Sequence, residues 1–223
     1  TVEFDRDWNI TGVVQDGDQF LATAGAGLLA GKRGTAGLQT ALLHIDGRYD
    51  GFRQTVRGDL HFGKVDASFD GSLLNATAGV INSDFLRGKG RVARRWKYFT
   101  LGVTGDAEQN EFRNDSTGEL AFGSYAYNAQ QVFIQSPDSA KVRFKLGAGQ
   151  REDQALKDGS LRPSTFANDY SASLDLGRGK IRKLVGTFTY RRLRIVDSTL
   201  TIQPAEDTYL ASLDHGHSLW KGA

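Results

Sequence analysis

The sequence predicts an all-β protein, an antiparallel up-and-down meander that we expect to form a β-barrel or a segment of one. Twenty-seven glycines and three prolines among 223 residues disfavour helices and suit strands joined by tight turns. Apolar residues also recur at every second position, as Phe99, Leu101 and Val103 do with Thr or Gly between them. This period is that of a strand with one apolar and one small or polar face.

The same alternation recurs along the chain and predicts roughly a dozen strands. It is clearest in residues 41–49, 142–149, 170–176, 183–195 and 207–219. The best candidate for a helix, residues 83–97, is interrupted by Gly88 and Gly90. We therefore expect almost no helix.

Tight-turn sequences separate the predicted strands. Asp-Gly pairs accept positive φ angles in hairpin turns, and they occur at 16–17, 46–47, 50–51, 70–71 and 158–159. Residues 136–139 and 177–180 also read as turns, and we expect the longest strand-free connection over residues 151–167. Strands joined by such turns must be antiparallel.

Composition narrows the classes of protein. Lys and Arg number 28 against 26 Asp and Glu, so the chain lacks the basic excess of a nucleic-acid binder and we expect no nucleic-acid partner. With no cysteine there is no disulfide or thiolate metal site, and no apolar run reaches 18 residues. We expect one β-meander domain over 1–223. It reads as an excerpt of a longer chain, since no Met occurs and the strand pattern still runs at the last residues.

Two motifs resemble functional sites without their required context. Gly25, Gly27 and Ala30 match a dinucleotide-binding fingerprint, but the glycines that follow would break the helix this motif needs. We expect a hairpin there and no bound nucleotide. His215 and His217 share a strand face without an evident third ligand. The sequence therefore predicts no cofactor, no metal site, no catalytic residues and no enzymatic activity.

The alternating apolar residues could face a protein core, a ligand or lipid. The opposite face carries Thr, Gly, Ser and Arg, which suit a water-filled lumen better than a dry core. In a membrane barrel the apolar face would then contact lipid. The membrane-facing candidates are Phe99, Leu101, Val103, Val142, Phe144 and Leu146, with Trp96 and Tyr98 as interfacial aromatics. The lumen-facing or ligand-facing basic candidates are Arg143, Lys145, Arg182, Arg192 and Arg194. Residues 47–63 and 64–76 argue against this hypothesis, because we expect Asp, Gln or Arg on both faces of these strands.

Residues 2–9 and 190–223, with the short strands between them, resemble segments of large, uncharacterised β-rich envelope proteins of Bacteroidota-type bacteria. The resemblance implies a place in the outer membrane or on the cell surface of a Gram-negative bacterium. The implied partners are the lipid bilayer, further strands of a longer parent chain and other envelope proteins. It carries over no catalytic residues.

Two functions follow as hypotheses. The first is a segment of an outer-membrane β-barrel or barrel-like envelope protein with a channel, transport-scaffold or structural role. The second is a soluble β-sandwich or barrel that binds carbohydrate, lipid or protein. They differ in what covers the apolar face.

Overall fold

The computed structural model describes residues 5–15, 19–29, 31–176, 182–196 and 204–217. It confirms the antiparallel up-and-down meander, because twelve strands form one sheet in chain order and each pairs with its neighbours in sequence. The strands are β1 (Asp5–Gln15), β2 (Gln19–Leu29), β3 (Gly34–Ile45), β4 (Tyr49–Phe62), β5 (Val65–Ala78), β6 (Ile81–Arg95), β7 (Thr100–Asn114), β8 (Tyr125–Gln135), β9 (Val142–Lys157), β10 (Ser160–Leu176), β11 (Arg182–Ile195) and β12 (Ala205–His217). Within the described ranges the only helical element is a 3-10 turn, Gly31–Arg33. β1 and β12 are not paired with each other, so the sheet is open.

Three of the predicted turns are confirmed. The chain reverses at 46–47, where Gly47 has a φ of +62°, and between β8 and β9 at 136–141. Asp158 and Gly159 form the two-residue turn between β9 and β10, both with positive φ (51° and 74°). Such a pair matches the right-handed twist of the flanking strands. The predicted turns at 16–17 and 177–180 lie outside the described residues.

Three predictions about connections were wrong. The Asp-Gly pairs at 50–51 and 70–71 lie inside β4 and β5, because both residues are paired in register there and a turn would break those ladders. Residues 151–167 are not a loop, since β9 continues to Lys157 and β10 begins at Ser160. One irregularity, a register shift between Pro163 and Thr165, marks where proline cannot donate to the ladder. The longest connection described in full is 115–124, between β7 and β8.

The register gives the sheet two chemically different faces. Directly opposed residues in an antiparallel pair share a face, so the pairing assigns every described strand position to one side. We call the side that carries Leu101 the apolar face and the side that carries Thr100 the polar face. One register line of the apolar face runs through Gly34, Leu60, Ala67, Val92, Val103, Val132, Ala148, Tyr170, Tyr190 and Tyr209.

Burial is inverted relative to an ordinary core. The buried apolar residues Ala93, Phe133 and Ala167 all lie on the polar face, with 1%, 4% and 4% of their surface exposed. On the apolar face, Leu101 and Val103 leave 42% and 50% of their surface exposed. The sheet therefore packs its polar side and leaves its apolar side open.

Phe133 on β8 is the centre of the packed region. Its ring leans over Gly102 on β7, where an added Cβ would stand 2.4 Å from the ring's Cζ and 2.9 Å from the Cβ of Ala93. The ring thus occupies the space of the missing side chain and reaches β6. Aromatic cover of a strand glycine restores contacts that the glycine forgoes.

Candidate functional site: an exposed apolar band and an ion-paired polar face

The apolar face carries a continuous band that ends at a polar boundary on every strand from β3 to β12. At this boundary the last apolar residue is followed, two positions along the strand, by a polar one. The pairs are Leu42/His44, Phe52/Asp50, Leu73/Asn75, Leu86/Asp84, Ala107/Gln109, Val132/Gln130, Ala148/Gln150, Tyr170/Asn168, Tyr190/Arg192 and Tyr209/Asp207. Inside the band Thr40 and Gln54 are polar exceptions, and Arg94, next to the β6–β7 turn, is a charged one between Val65 and Leu101.

A row of tyrosines marks the boundary on the last three strands. Tyr170, Tyr190 and Tyr209 are directly opposed in register. Their rings stack, with centroids 5.8 Å and 4.9 Å apart. The Tyr190 hydroxyl donates to Asp207 on the polar side of the boundary, at 2.9 Å. The sequence analysis missed this row; its signal was a Tyr at the end of each of three alternating runs.

Aromatic residues also lie at the opposite limit of the band, in the turn between β6 and β7. Trp96 stacks on Phe99 with centroids 5.0 Å apart, and the Arg94 guanidinium lies 5.0 Å from the centre of the Trp96 ring. Tyr98 is 72% exposed. Amphipathic rings at both limits of an apolar surface are typical of an interface between an apolar and an aqueous phase.

The boundary is oblique on one half of the sheet only. The register line through Ala148 on β9 meets β3 at Gly34, whereas the apolar run of β3 continues for eight residues beyond it, to Leu42. That offset, about 27 Å along the strand, arises over the five strand spacings, about 24 Å, between β8 and β3. From β8 to β12 the boundary follows a single register line.

The structure places five of the six membrane-facing candidates together on the apolar face: Leu101, Val103, Val142, Phe144 and Leu146. Phe99, the sixth, precedes β7 and stacks on Trp96, so it belongs with the aromatic turn. The two interfacial candidates, Trp96 and Tyr98, lie in that same turn.

The sequence-based objection holds for residues 47–63 and is wrong for residues 64–76. Arg53, Arg57 and Asp59 of β4, with Asp66 and Asp70 of β5, all lie on the polar face. The apolar face of β4 keeps only Asp50, at its end, and Gln54; β5 keeps Asn75 and Thr77, beyond the boundary. Register, which the sequence does not state, decided this point.

The structure separates the five basic candidates. Arg143 and Lys145 lie on the polar face. Arg192 and Arg194 lie on the apolar face, beyond the tyrosine row and outside the band. Arg194 stacks over Phe166, 5.4 Å from the ring centre. Arg182 begins β11, but its side chain lies outside the described part of the structure.

Carboxylates pair with most cations of the polar face. The pairs link neighbouring strands or neighbouring positions of one strand: Arg57–Asp70 at 2.7 Å, Arg95–Asp66 at 2.9 Å, Arg87–Glu108 at 3.6 Å, Arg151–Asp153 at 2.7 Å, Arg191–Asp169 at 2.6 Å, and Arg143–Asp175. Cross-strand pairs of opposite charge fix register. These pairs make the polar face hydrated and nearly neutral.

The most connected of these groups surrounds Asp153 on β9. Its carboxylate accepts hydrogen bonds from Arg151 Nε at 2.8 Å and Thr165 Oγ1 at 2.9 Å. Partial burial opposes ionisation, but these bonds outweigh it and hold the pKa of Asp153 below its ordinary value. The Arg151 guanidinium also lies 4.2 Å from the centre of the Tyr127 ring, whose hydroxyl donates to Asp106.

His44 on β3 is a titratable probe of the register. It is directly opposed to Asp50, and their hydrogen bond raises the pKa of His44 above its ordinary value of 6.5. The pair therefore stabilises the fold fully below pH 6.5, and this contribution is lost as the pH rises through the folded-state pKa. We expect an NMR titration to place the His44 pKa above 6.5, and Asp50→Asn to abolish the rise. An unchanged pKa in that variant would refute the pairing.

The structure adds no support for a nucleotide site at the glycine-rich motif or for a metal site at His215 and His217. Residues 24–37 fall in the hairpin of β2 and β3, as predicted, and β2 leads into a 3-10 turn and another strand, so no helix follows the glycines there. His215 and His217 belong to β12, but their side chains lie outside the described residues. In the portion of the chain that the structure covers, no three His, Cys, Asp or Glu side chains are grouped to hold a metal ion.

No protein-family model matches the chain, and no curated protein is significantly similar to it. Among the residues that the structure describes, no helix has the length and apolar character needed to cross a membrane.

Proposed function

We propose that the chain is a segment of an outer-membrane β-barrel or barrel-like envelope protein of a Gram-negative bacterium, with a channel, transport-scaffold or structural role. Lipid contacts the apolar face, and the polar face lines a hydrated lumen. The observation that carries the proposal is the exposed apolar band on one face of a sheet whose other face is packed and ion-paired. Membrane barrels have this apolar-out, polar-in arrangement.

The dimensions of the band support the proposal. It covers 11 residues on β4 (Phe52–Phe62), seven on β9 (Val142–Ala148) and three on β8 (Val132–Ile134). A tilted strand crosses a bilayer in about 9–11 residues, so β4 has the length of a full crossing. Aromatic rings lie at one limit of the band before β7 and at the other limit on β10, β11 and β12.

The course of the boundary between β3 and β8 also supports it. Barrel strands are tilted by about 35–45° to the membrane normal, so a flat bilayer must cut obliquely across the register lines. The boundary does so between β3 and β8, whereas from β8 to β12 it runs along one register line.

Single cysteines test the proposal directly, since the chain has none of its own. We expect cysteines at Leu101, Val103 and Leu146 to react with a lipid-phase probe when the protein is folded in phospholipid vesicles. Cysteine at Gln109, on the same strand face as Leu101 but beyond the boundary, is the matched control and should react with a water-phase probe. A cysteine at Thr104 tests the polar face.

Two outcomes would contradict membrane insertion. Water-phase labelling at all three apolar positions would mean that this face is hydrated. Protection from both probes would mean that protein covers it, as in the soluble binding module considered above. Retention in solution without detergent would support that second reading.

A further inference from the structure

Two cations without carboxylate partners lie close to Phe133 on the polar face. The charged groups of Arg91 on β6 and Lys145 on β9 lie 5.0 Å and 6.0 Å from the centre of its ring. The two charges therefore lie at most about 11 Å apart, the total of these distances. Among the described residues neither forms an ion pair, in contrast to the six arginines of the same face paired above.

The register shows what surrounds the two cations. Arg91 is directly opposed to Ser68 and Thr104, and the carboxylates diagonal to it have other partners: Asp66 pairs with Arg95, Asp70 pairs with Arg57, and Asp106 accepts from the Tyr127 hydroxyl. The line of Lys145 passes through Gln135 and Thr100 on one side and through Ser173, Thr187 and Ser212 on the other. The groups directly opposed to both cations are thus neutral and can form hydrogen bonds with an anion.

Gly147 on β9 lies near these cations, and its lack of a side chain lets two polar side chains approach each other. An added Cβ would stand 2.8 Å from both Gln131 Nε2 and Ser171 Oγ, so these two side chains converge over the glycine from β8 and β10. Lys145 lies two positions away on the same strand face. Phe133, opposite Gly147, is 4% exposed and holds its position against Gly102.

We propose that Arg91, Lys145, Gln131 and Ser171 form a binding site for a phosphate group, either inorganic phosphate or the phosphate of a small ester. Two cations with neutral donors beside them fit a tetrahedral oxyanion, because charge-assisted hydrogen bonds to its oxygens relieve the repulsion between the cations. A rigid aromatic ring fixes the spacing of the cations. The site itself does not depend on the proposed membrane location; if that proposal holds, the site lies in the lumen and favours anionic solutes.

Calorimetric titration of the folded full chain in detergent with inorganic phosphate tests the site. We expect saturable binding, weakened at least about tenfold by the double substitution Arg91→Gln, Lys145→Gln. Lys145→Gln alone, at an exposed position, should weaken it in the same direction if the double variant does not fold. The matched control is Arg57→Gln, on the same face but already paired with Asp70, and should change affinity less than about twofold.

Glycerol phosphate in a parallel titration separates the two sources of the phosphate group. Tighter binding of the ester assigns the site to a phosphorylated solute, and equal or weaker binding assigns it to the free ion. The proposal is overturned if the unmodified chain binds neither compound, or if both glutamine variants bind phosphate as the unmodified chain does. These measurements need no bilayer, so their failure would leave the labelling experiment unaffected.

Discussion

Val103→Arg should lower the free energy of unfolding by about 2–4 kcal/mol when the protein is folded in phospholipid vesicles, which is the cost of an arginine near the bilayer midplane on a lipid-facing strand. Val103 lies in the inner part of the apolar band on β7, between Leu101 and Ala107, and is 50% exposed. If water covered this face, the same change would cost about 0.5 kcal/mol or less, as exposed surface substitutions do. Urea titration in vesicles measures the difference.

Gln109→Arg is the control for this variant. Gln109 lies on the same strand and the same face, beyond the polar boundary, so the added guanidinium stays hydrated and stability should change little. Equal losses in both variants would argue against a lipid phase that ends between Ala107 and Gln109. Val103→Arg without any loss would exclude lipid at the centre of the band.

The second large effect is expected at Gly102. Valine at this position should destabilise the fold by about 2–3 kcal/mol, in the range of overpacking in a well-packed site. Its Cβ would stand 2.4 Å from the Cζ of Phe133 and 2.9 Å from the Cβ of Ala93, and the ring, at 4% exposure, has little space to move. Denaturant unfolding of the variant gives the magnitude.

Gly105→Val provides the matched control, because it lies on the same strand with no atom within 4 Å of the position of its Cβ. It should be tolerated. Combining Gly102→Val with Phe133→Leu should recover part of the loss, since the smaller side chain leaves room for the added methyl groups. A loss at Gly105 as large as at Gly102 would show that any side chain in the middle of β7 is harmful, and that ring contact is not the cause.

The fold class could be predicted from the sequence because both of its signals are local. The alternation at Leu101 and Val103, or at Phe144 and Leu146, follows from the two-residue period of a strand alone. The turn at 158–159 can be recognised from two adjacent residues that accept positive φ. The same local signal misled at Asp70-Gly71, where pairing with Val56 and Gly88 keeps the chain extended. A local preference for a turn is overridden when the strands on both sides form hydrogen bonds with the segment.

The candidate sites depend on register and so were only partly predictable. Lys145 was recognised as a basic residue opposite an apolar face, but its proximity to Arg91 and Phe133 was not, because the three come together only when β6 to β9 are aligned. A shift of one residue would have exchanged the faces of a whole strand. The sequence showed which positions alternate, and only the alignment of strands showed which residues of neighbouring strands share a face.

The open meander also has a consequence for how the chain folds. Residues that pair directly are separated by at most 35 positions along the chain, as Arg182 and His217 or Thr100 and Gln135 are. Loop-closure entropy is therefore small at each step, and the sheet can assemble by adding one hairpin to the last. Cooperativity then passes only between neighbouring strands, as in a one-dimensional array. Pairing of the two outer edges, with each other or with further strands, is the one step that would require contacts distant in sequence.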